Sequence, residues 1–259
     1  MNKKDVDLDA VRAAAKGVAY TKDGSTPNFV TYYDPAAPDG AALASALLLT
    51  SEPDLKNLEA IFGITPTGTP FSLYVDTGSF GAYHNSCADT ALHLAVFDGT
   101  NSDLVRMLMV AEADEVFMAD QARGWNCGDS AGEGLSRVLA ALAYPAQLDG
   151  FATAESWLNS SRVDYVTASD PSDQNYVSIG CATLFVNYLT NQLGYGISDV
   201  VRAGGSGLAE TYAKLTGKLV SDAFPPFNAL LAQFFPVGQT VTLSDDNPFP
   251  LGTPSRPPL

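Results

Sequence analysis

The sequence predicts an α+β fold in which a small mixed sheet comes first and helices follow. Short runs of β-branched and aromatic residues, bounded by turn residues, lie between residues 25 and 100. From residue 101 to about residue 236, apolar residues recur mostly at helical spacing. Strands first and helices afterwards indicate an α+β arrangement.

The first part of the chain carries the predicted strands. Asp5 to Ala15 has apolar residues near helical spacing and predicts a short N-terminal helix. Phe29 to Tyr33 is β-branched and aromatic and predicts a strand. Asp39 to Phe62 predicts helix with an interruption near Ser51-Glu52-Pro53, because proline suits the first turn of a new helix. Three more strands are predicted at Phe71 to Val75, Gly81 to His84 and Ala91 to Phe97.

The second part is predicted to be helical. A long helix capped by Asn101 or Ser102 runs to about Gln121, and Ser130 to Ala143 forms the next one. Further helices are predicted at Ala154 to Leu158, Val177 to Leu193, Ile197 to Arg202, Gly207 to Leu215 and Pro226 to Phe235. Residues 1–243 are predicted to form a single domain. The proline-rich tail, residues 244–259, holds little that could pack and is expected to be extended or draped on the surface.

Composition excludes several classes of function. Fourteen basic against 29 acidic residues give a net charge of −15, which argues against nucleic acid and against an anionic membrane surface. The longest apolar run, Ala41 to Leu49, is too short to span a bilayer, and no signal peptide is visible. Cys87, Cys127 and Cys181 are scattered and odd in number, so a reduced, cytoplasmic chain is favoured. A mature domain of a secreted precursor stays open.

Two glutamates are predicted on an otherwise apolar part of the long helix. Glu115 falls among Leu, Leu, Ala and Met at positions 104, 108, 111 and 118, and Glu112 falls on the neighbouring stripe. Asp103, Arg106 and Asp114 fall on the other side and are expected to be solvated. Burying ionised carboxylates is costly, so Glu112 and Glu115 need partners or raised pKa values.

Two interpretations of this pair stay open. Carboxylates one turn apart and facing inward are typical of functional sites. Equally, Arg106, Arg123 or Arg137 could pair with them for purely structural reasons. Glu133, on the next helix, has Arg137 four residues later, an ion pair that needs no site.

The order of these elements resembles the gluzincin branch of the zincin metallopeptidases. Zincins carry H-E-x-x-H on one helix, where the histidines bind zinc and the glutamate is the general base. Ala111-Glu112-Ala113-Asp114-Glu115 stands at the equivalent place, and Glu133 between Gly132 and Gly134 is similar to the family's N-E-G-x-x pattern. An edge strand before the active-site helix also fits the family. Downstream, Gly180-Cys181-Ala182 to Tyr188-Leu189, Leu193-Gly194-Tyr195 and Leu215-Thr216-Gly217 look like its helical C-terminal half.

The resemblance implies a fold more than an activity. It places Glu112 at the general-base position and Glu133 at the third-ligand position, whereas Ala111 and Glu115 replace the two histidines. We therefore expect no tightly bound metal and a catalytically inactive domain that binds or scaffolds a peptide-like or protein ligand. The alternative is a metal-dependent hydrolase in which Glu112, Glu115 and Glu133 hold one divalent ion, since an all-oxygen site suits Ca²⁺, Mg²⁺ or Mn²⁺.

The remaining candidates lie near this helix. A lone histidine in a strand is usually a core or surface residue, and this interpretation stays open for both His84 and His93. Of the two, His84 is the more suggestive, and the hypothesis is that it reaches the Glu112 and Glu115 face and completes a metal site. Cys127 precedes a helix N-terminus, which can activate a thiol, so a thiol enzyme built on Cys127 and His84 is a third possibility. A small residue packed in a tight loop is the other interpretation of Cys127. Tyr83, Trp125 and Cys127 are the candidate ligand-binding residues.

Overall fold

The computed structural model describes residues 17–78, 81–147 and 152–252. Within them the chain divides into two compact units. The first takes in residues 17–60, 64–78, 81–120 and 139–147, and the second takes in residues 61–63, 121–138 and 152–252. The predicted helix Asp5 to Ala15 lies outside the described residues.

A five-stranded mixed sheet forms the centre of the first unit. Its strands are β1 (Thr21–Ser25), β2 (Phe29–Tyr33), β3 (Phe71–Thr77), β4 (Gly81–Tyr83) and β5 (Ala91–Val96), in the order β1-β2-β3-β5-β4. β2, β3 and β5 are parallel, and the edge strands β1 and β4 are antiparallel to their neighbours. Four of these strands were predicted. β1 was missed because its residues, TKDGS, are polar and mostly exposed and show no alternation.

The two faces of the sheet have different chemistry. One face is apolar and fully buried, and consists of Phe29, Phe71, Leu73, Val75, Leu92, Leu94 and Val96 together with Thr31. On the other face the register aligns Tyr32 with Tyr74, Tyr74 with His93, and His93 with Tyr83. The second face therefore carries a row of aromatic and imidazole rings that crosses four strands.

The helix after β2, α1 (Gly40–Phe62), is continuous, so the predicted interruption at Pro53 is wrong. Proline removes one backbone N–H, whose acceptor would be the carbonyl of Leu49. Leu49 is 81 % exposed, so water can take the place of that donor. Residues 47, 51, 55, 58 and 62 are all buried, and this single apolar face extends across the proline.

The other helices agree with the sequence prediction to within a few residues. They are α2 (Ser102–Gln121), α3 (Ser130–Ala143), α4 (Ala154–Leu158), α5 (Tyr176–Asn187), α6 (Ile197–Ala203), α7 (Leu208–Thr216) and α8 (Phe224–Phe234). A π-helical turn, Tyr188–Gln192, continues α5. A mixed sheet followed by helices confirms the predicted α+β character. None of the helices in the described part of the chain has both the length and the apolar character that a membrane crossing requires.

The described part of the tail, residues 244–252, is irregular, as predicted, but the expectation that little of it packs is wrong. Asp246, Phe249 and Leu251 are all buried. The Asp246 carboxylate accepts hydrogen bonds from the backbone N–H groups of Thr153 and Ala154 at the start of α4. One acidic side chain therefore anchors this segment, and composition alone did not show it.

The expectation of reduced cysteines is also wrong. Cys87 and Cys127 are both disulfide-bonded, and Cys181 is a buried free thiol. Burial raises the pKa of Cys181 and keeps this thiol protonated. Disulfide pairing depends on where the fold places two backbones, which the spacing of cysteines along the chain does not encode.

Candidate histidine–carboxylate site

The helix α2 carries both predicted glutamates. The Asn101 side chain caps it by accepting a hydrogen bond from the Leu104 N–H at 2.9 Å. The middle of α2, from Glu112 to Met118, is buried on every side. Asp114, which was expected to be solvated, is fully buried, so that prediction is wrong. A helix covered all round does not have the polar side that an amphipathic pattern implies.

His84 meets these glutamates from the end of β4. Its Nε2 lies 2.8 Å from Oε2 of Glu115 and 4.0 Å from Oε2 of Glu112. All three residues are at least nine-tenths buried. The sequence-based expectation that His84 reaches the Glu112 and Glu115 face agrees with this geometry. Its role as a metal ligand stays a prediction.

The loop between β4 and β5 fixes the other side of the imidazole. His84 Nδ1 lies 3.1 Å from the carbonyl oxygen of Asp89. The Asp89 carboxylate accepts hydrogen bonds from the backbone N–H of Ala91 and from the Asn85 side chain, which closes the loop. Asp89 thus positions its own carbonyl against His84.

These contacts determine the protonation of His84. A carbonyl oxygen can only accept, so Nδ1 carries a proton and donates it to Asp89. An ionised Glu115 can also only accept, so Nε2 carries a second proton. With Glu115 ionised, His84 is therefore an imidazolium ion that donates from both nitrogens.

Electrostatics agree with the hydrogen bonds. Burial alone lowers the pKa of His84, but the hydrogen bond to Glu115 and the negative charges of Glu112 and Glu115 outweigh burial. The net result raises the pKa of His84 to about 9. At neutral pH the site therefore holds its own cation between two carboxylates.

The residues present do not fit the zinc site of the zincin pattern. Ala111 offers no ligand atom, and the only imidazole comes from outside the helix. One nitrogen and two carboxylates do fit a harder divalent cation, if that cation displaces the proton on Nε2. The hydrogen bond from Nδ1 to a backbone carbonyl is the usual way in which a metal-binding histidine is oriented.

The other predicted site residues are accounted for individually. Tyr83 is buried and its ring stacks on His93, with the ring centres 4.7 Å apart.

Glu133, Trp125 and Cys127 belong to the second unit. Glu133 accepts a hydrogen bond from Arg137 at 2.8 Å, the structural pairing left open above. Trp125 is buried and donates from its indole nitrogen to the carbonyl of Val201. A disulfide-bonded Cys127 has no thiolate to act as a nucleophile.

Two arginines proposed as partners of the glutamates contact other groups. Arg106 pairs with Asp103 at 3.0 Å, and its guanidinium lies 4.5 Å from the centre of the Tyr144 ring. Arg123 donates to the carbonyl of Arg202. The partner shown for Glu115 is a histidine 31 residues earlier in the sequence.

Sequence reasoning missed a second histidine cluster. His93 Nδ1 lies 2.8 Å from Oδ2 of Asp76, a buried carboxylate on β3. The alternation of β3 put Tyr74 and Asp76 on one face, which was a usable signal. The register that sets His93 beside them is a long-range property that the sequence pattern did not reveal.

Comparison with known proteins adds no family to this geometry. Neither a protein-family model nor a curated protein matches the sequence. The function is therefore inferred from the residues of the site.

Proposed function

We propose that the protein is a zincin-like domain without zinc peptidase chemistry that binds or scaffolds a peptide-like or protein ligand. The observation that carries this proposal is the cation supplied by the chain itself. His84 places a protonated imidazole against Glu115, at the helix positions where a zincin would bind metal. Ala111 stands at a histidine position, so one zinc ligand is absent. The His84 cation offsets the negative charge of Glu115 that would attract zinc.

The arrangement of the first unit supports the resemblance. An antiparallel edge strand, β4, comes before β5 and then α2, which is the order expected before a zincin active-site helix. Glu112 and Glu115 are both buried on α2. Glu133 lies in the first turn of the following helix, α3, the position that the resemblance implies for a third ligand.

A second candidate function is a metal-dependent hydrolase. It is favoured by the orientation of His84, because donation from Nδ1 to Asp89 directs Nε2 at two carboxylates. In this case His84, Glu115 and Glu112 would hold the ion. A divalent ion would supply Lewis acidity. The residues themselves would bind it, exclude water and accept a proton.

The cysteines bear on the compartment. The sequence favoured the cytoplasm, but disulfides persist mainly in oxidising compartments. We therefore infer an oxidising location for the form with disulfide-bonded Cys87 and Cys127. Thiol counting on the unreduced protein tests this inference: only Cys181 should react, and only after denaturation. Three reactive thiols would contradict it.

Rebuilding the zinc motif tests the fold relationship. The double substitution Ala111→His with Glu115→His restores H-E-x-x-H on α2, and we expect the purified variant to bind one zinc ion per chain. Glu133→Gln added to that variant tests the third-ligand position that the resemblance implies, and weaker zinc binding is expected. A matched control carries the same two substitutions with Glu59→Gln, since Glu59 lies on α1 outside the site. No zinc binding by a folded double variant would refute the zincin-like interpretation.

Metal analysis and peptidase assays separate the two functions. For the full, unaltered chain we expect no stoichiometric metal, and no cleavage of casein or of a quenched peptide library with added Zn²⁺, Mn²⁺ or Ca²⁺. Cleavage that requires metal and disappears in Glu112→Gln would instead establish the hydrolase. Selection of phage-displayed peptides on the immobilised protein tests the binding role, and failure to enrich any peptide would count against it.

A further inference from the structure

His93 lies in a hydrogen-bonded chain on the polar face of the sheet. Its Nδ1 is 2.8 Å from Oδ2 of Asp76, and the Tyr20 hydroxyl donates to the other Asp76 oxygen at 2.6 Å. Asp76 is 4 % exposed. Because this carboxylate is buried and receives two donors, it has one stable orientation, and so does the imidazole bonded to it.

Two tyrosine rings clamp the imidazole from either side. The Tyr74 and Tyr83 ring centres each lie 4.7 Å from that of His93, at interplanar angles of 11° and 6°. Tyr32 extends the stack beyond Tyr74, at 5.0 Å. The two parallel neighbours set the plane of the imidazole, and the contact between Nδ1 and Asp76 sets the direction of its second nitrogen.

In the described part of the chain, the second nitrogen of His93 has no hydrogen-bond partner. With Asp76 ionised, its carboxylate can only accept, and the neutral imidazole then carries its proton on Nδ1 and its lone pair on Nε2. The side chain is 14 % exposed, and within the described residues no group hydrogen-bonds to Nε2. A carboxylate, an oriented imidazole and an open Nε2 form the base-and-orienter arrangement of hydrolytic enzymes.

The charge around this row of rings limits its substrates. Burial is the largest cause that raises the pKa of Tyr20, and Asp76 and Asp34 raise it further. Burial also raises the pKa of Tyr74, and Asp76 and Asp89 act in the same direction. The charged groups that act on Tyr20 and Tyr74 are thus carboxylates, which repel anions, and the exposed Lys22 lies beyond Tyr32, at the end of the row away from Tyr83. The Tyr74 hydroxyl keeps its proton and can donate to a carbonyl oxygen, whereas the Tyr20 hydroxyl already donates to Asp76.

We propose that His93 is the nucleophile of a second site that accepts acyl groups from uncharged esters, with Asp76 as its positioning residue. The Nε2 lone pair attacks the ester carbonyl carbon, a C–N bond forms, and the bond to the alcohol oxygen breaks. The alcohol oxygen leaves with the bonding electrons and takes a proton from water. Water then adds to the acyl-imidazolium, which releases the acid and a proton and restores His93. The sum is ester plus water to acid plus alcohol.

p-Nitrophenyl acetate is the probe for this site, used with the full chain. We expect p-nitrophenolate release above the buffer rate, and at least a tenfold loss of that excess rate in His93→Gln. Mass mapping of a rapidly quenched sample should find the acetyl group on the His93 peptide. Lys22→Gln is the matched control: Lys22 is exposed, is paired with Tyr32 in the register, and is the competing amine on this row. That variant should keep the wild-type rate.

The role of Asp76 has its own readout. Asp76→Asn should lower the excess rate several-fold and shift the pH at which that rate rises. Asp76→Glu should recover part of the rate and part of the wild-type pH profile. The groups that face His93, namely Asp76, Tyr20, Tyr74 and Tyr83, stay otherwise unchanged in this comparison. Equal rates in wild type and His93→Gln, or an acetyl group found only on lysine or tyrosine, would overturn the proposal. Because the mapping uses the unaltered protein, the test does not depend on whether a variant folds. Neither result bears on metal binding at His84.

Discussion

The two histidines of the first unit lie in opposite chemical situations, although each contacts a buried carboxylate. His84 uses both nitrogens, one toward the Asp89 carbonyl and one toward Glu115. Among the described residues, His93 hydrogen-bonds through Nδ1 alone, toward Asp76. The imidazole of His84 forms a buried ion pair with the Glu115 carboxylate of α2. The imidazole of His93 is an oriented base whose second nitrogen has no partner among the described residues. The number of acceptors around a histidine, rather than its burial, separates a structural cation from a reactive group.

Replacing His84 should have the largest effect. The pKa of His84 is raised from 6.5 to about 9, so its protonation adds stability that is fully present below pH 6.5 and is lost as pH rises through about 9. The gap between these two values corresponds to about 3 kcal/mol. Urea unfolding of wild type and His84→Gln should show a stability difference that is large at pH 6 and shrinks by roughly this amount at pH 10. His93→Gln is the control, and an equal pH dependence there would contradict the assignment.

Replacing Asp76 should have the next effect, on the other face of the sheet. Asparagine has one acceptor oxygen, which can accept from Tyr20, but its NH2 group faces His93 Nδ1 and cannot accept, so one buried hydrogen bond is lost. We expect Asp76→Asn to lower the free energy of unfolding by roughly 1–3 kcal/mol. A double-mutant cycle with His93→Gln isolates the coupling of Asp76 to His93. Additive effects in that cycle would mean that the Asp76–His93 contact does not contribute to the free energy of unfolding.

The two glutamates near His84 should differ from each other. Glu115 lies 2.8 Å from the imidazole and Glu112 lies 4.0 Å away. Glu115→Gln should therefore lower the pKa of His84 more than Glu112→Gln does, and NMR titration of the imidazole signal measures both values. The reverse order would show that the longer contact carries the interaction.

Changing the end of the aromatic row should have the smallest effect. Tyr32 is half-buried, and Tyr32→Phe keeps the ring that stacks on Tyr74. We expect a change in unfolding free energy of less than about 0.5 kcal/mol. The ester reaction at His93 should stay unchanged. A larger loss of stability would assign the Tyr32 hydroxyl a role that stacking alone does not give it.

Local signals predicted much of the fold. The boundaries of β2, α3 and α4 agree with the sequence prediction, because propensity, caps and breakers act within a few residues. Pro53 misled the prediction for α1, since tertiary burial of one continuous face outweighs a single missing N–H. β1 gave no local signal, and its pairing with β2 decides its structure.

The site was predictable only in part. Apolar spacing around Glu112 and Glu115 showed that these carboxylates would be buried and would need a partner. From the sequence, both arginines and His84 were possible partners of the two glutamates. The strand order and the position of β4 beside β5 determine which side chain reaches them. The Asp76–His93 contact depends on the β3–β5 register, which no short pattern encodes.

The protonation states of the two imidazoles test the central claim most directly. Long-range ¹H–¹⁵N correlation spectra at pH 7, assigned with His93→Gln, report which ring nitrogens carry protons. We predict that His84 is protonated on both nitrogens and that the neutral form of His93 is protonated on Nδ1. A His84 with one protonated nitrogen, or a neutral His93 protonated on Nε2, would contradict the account.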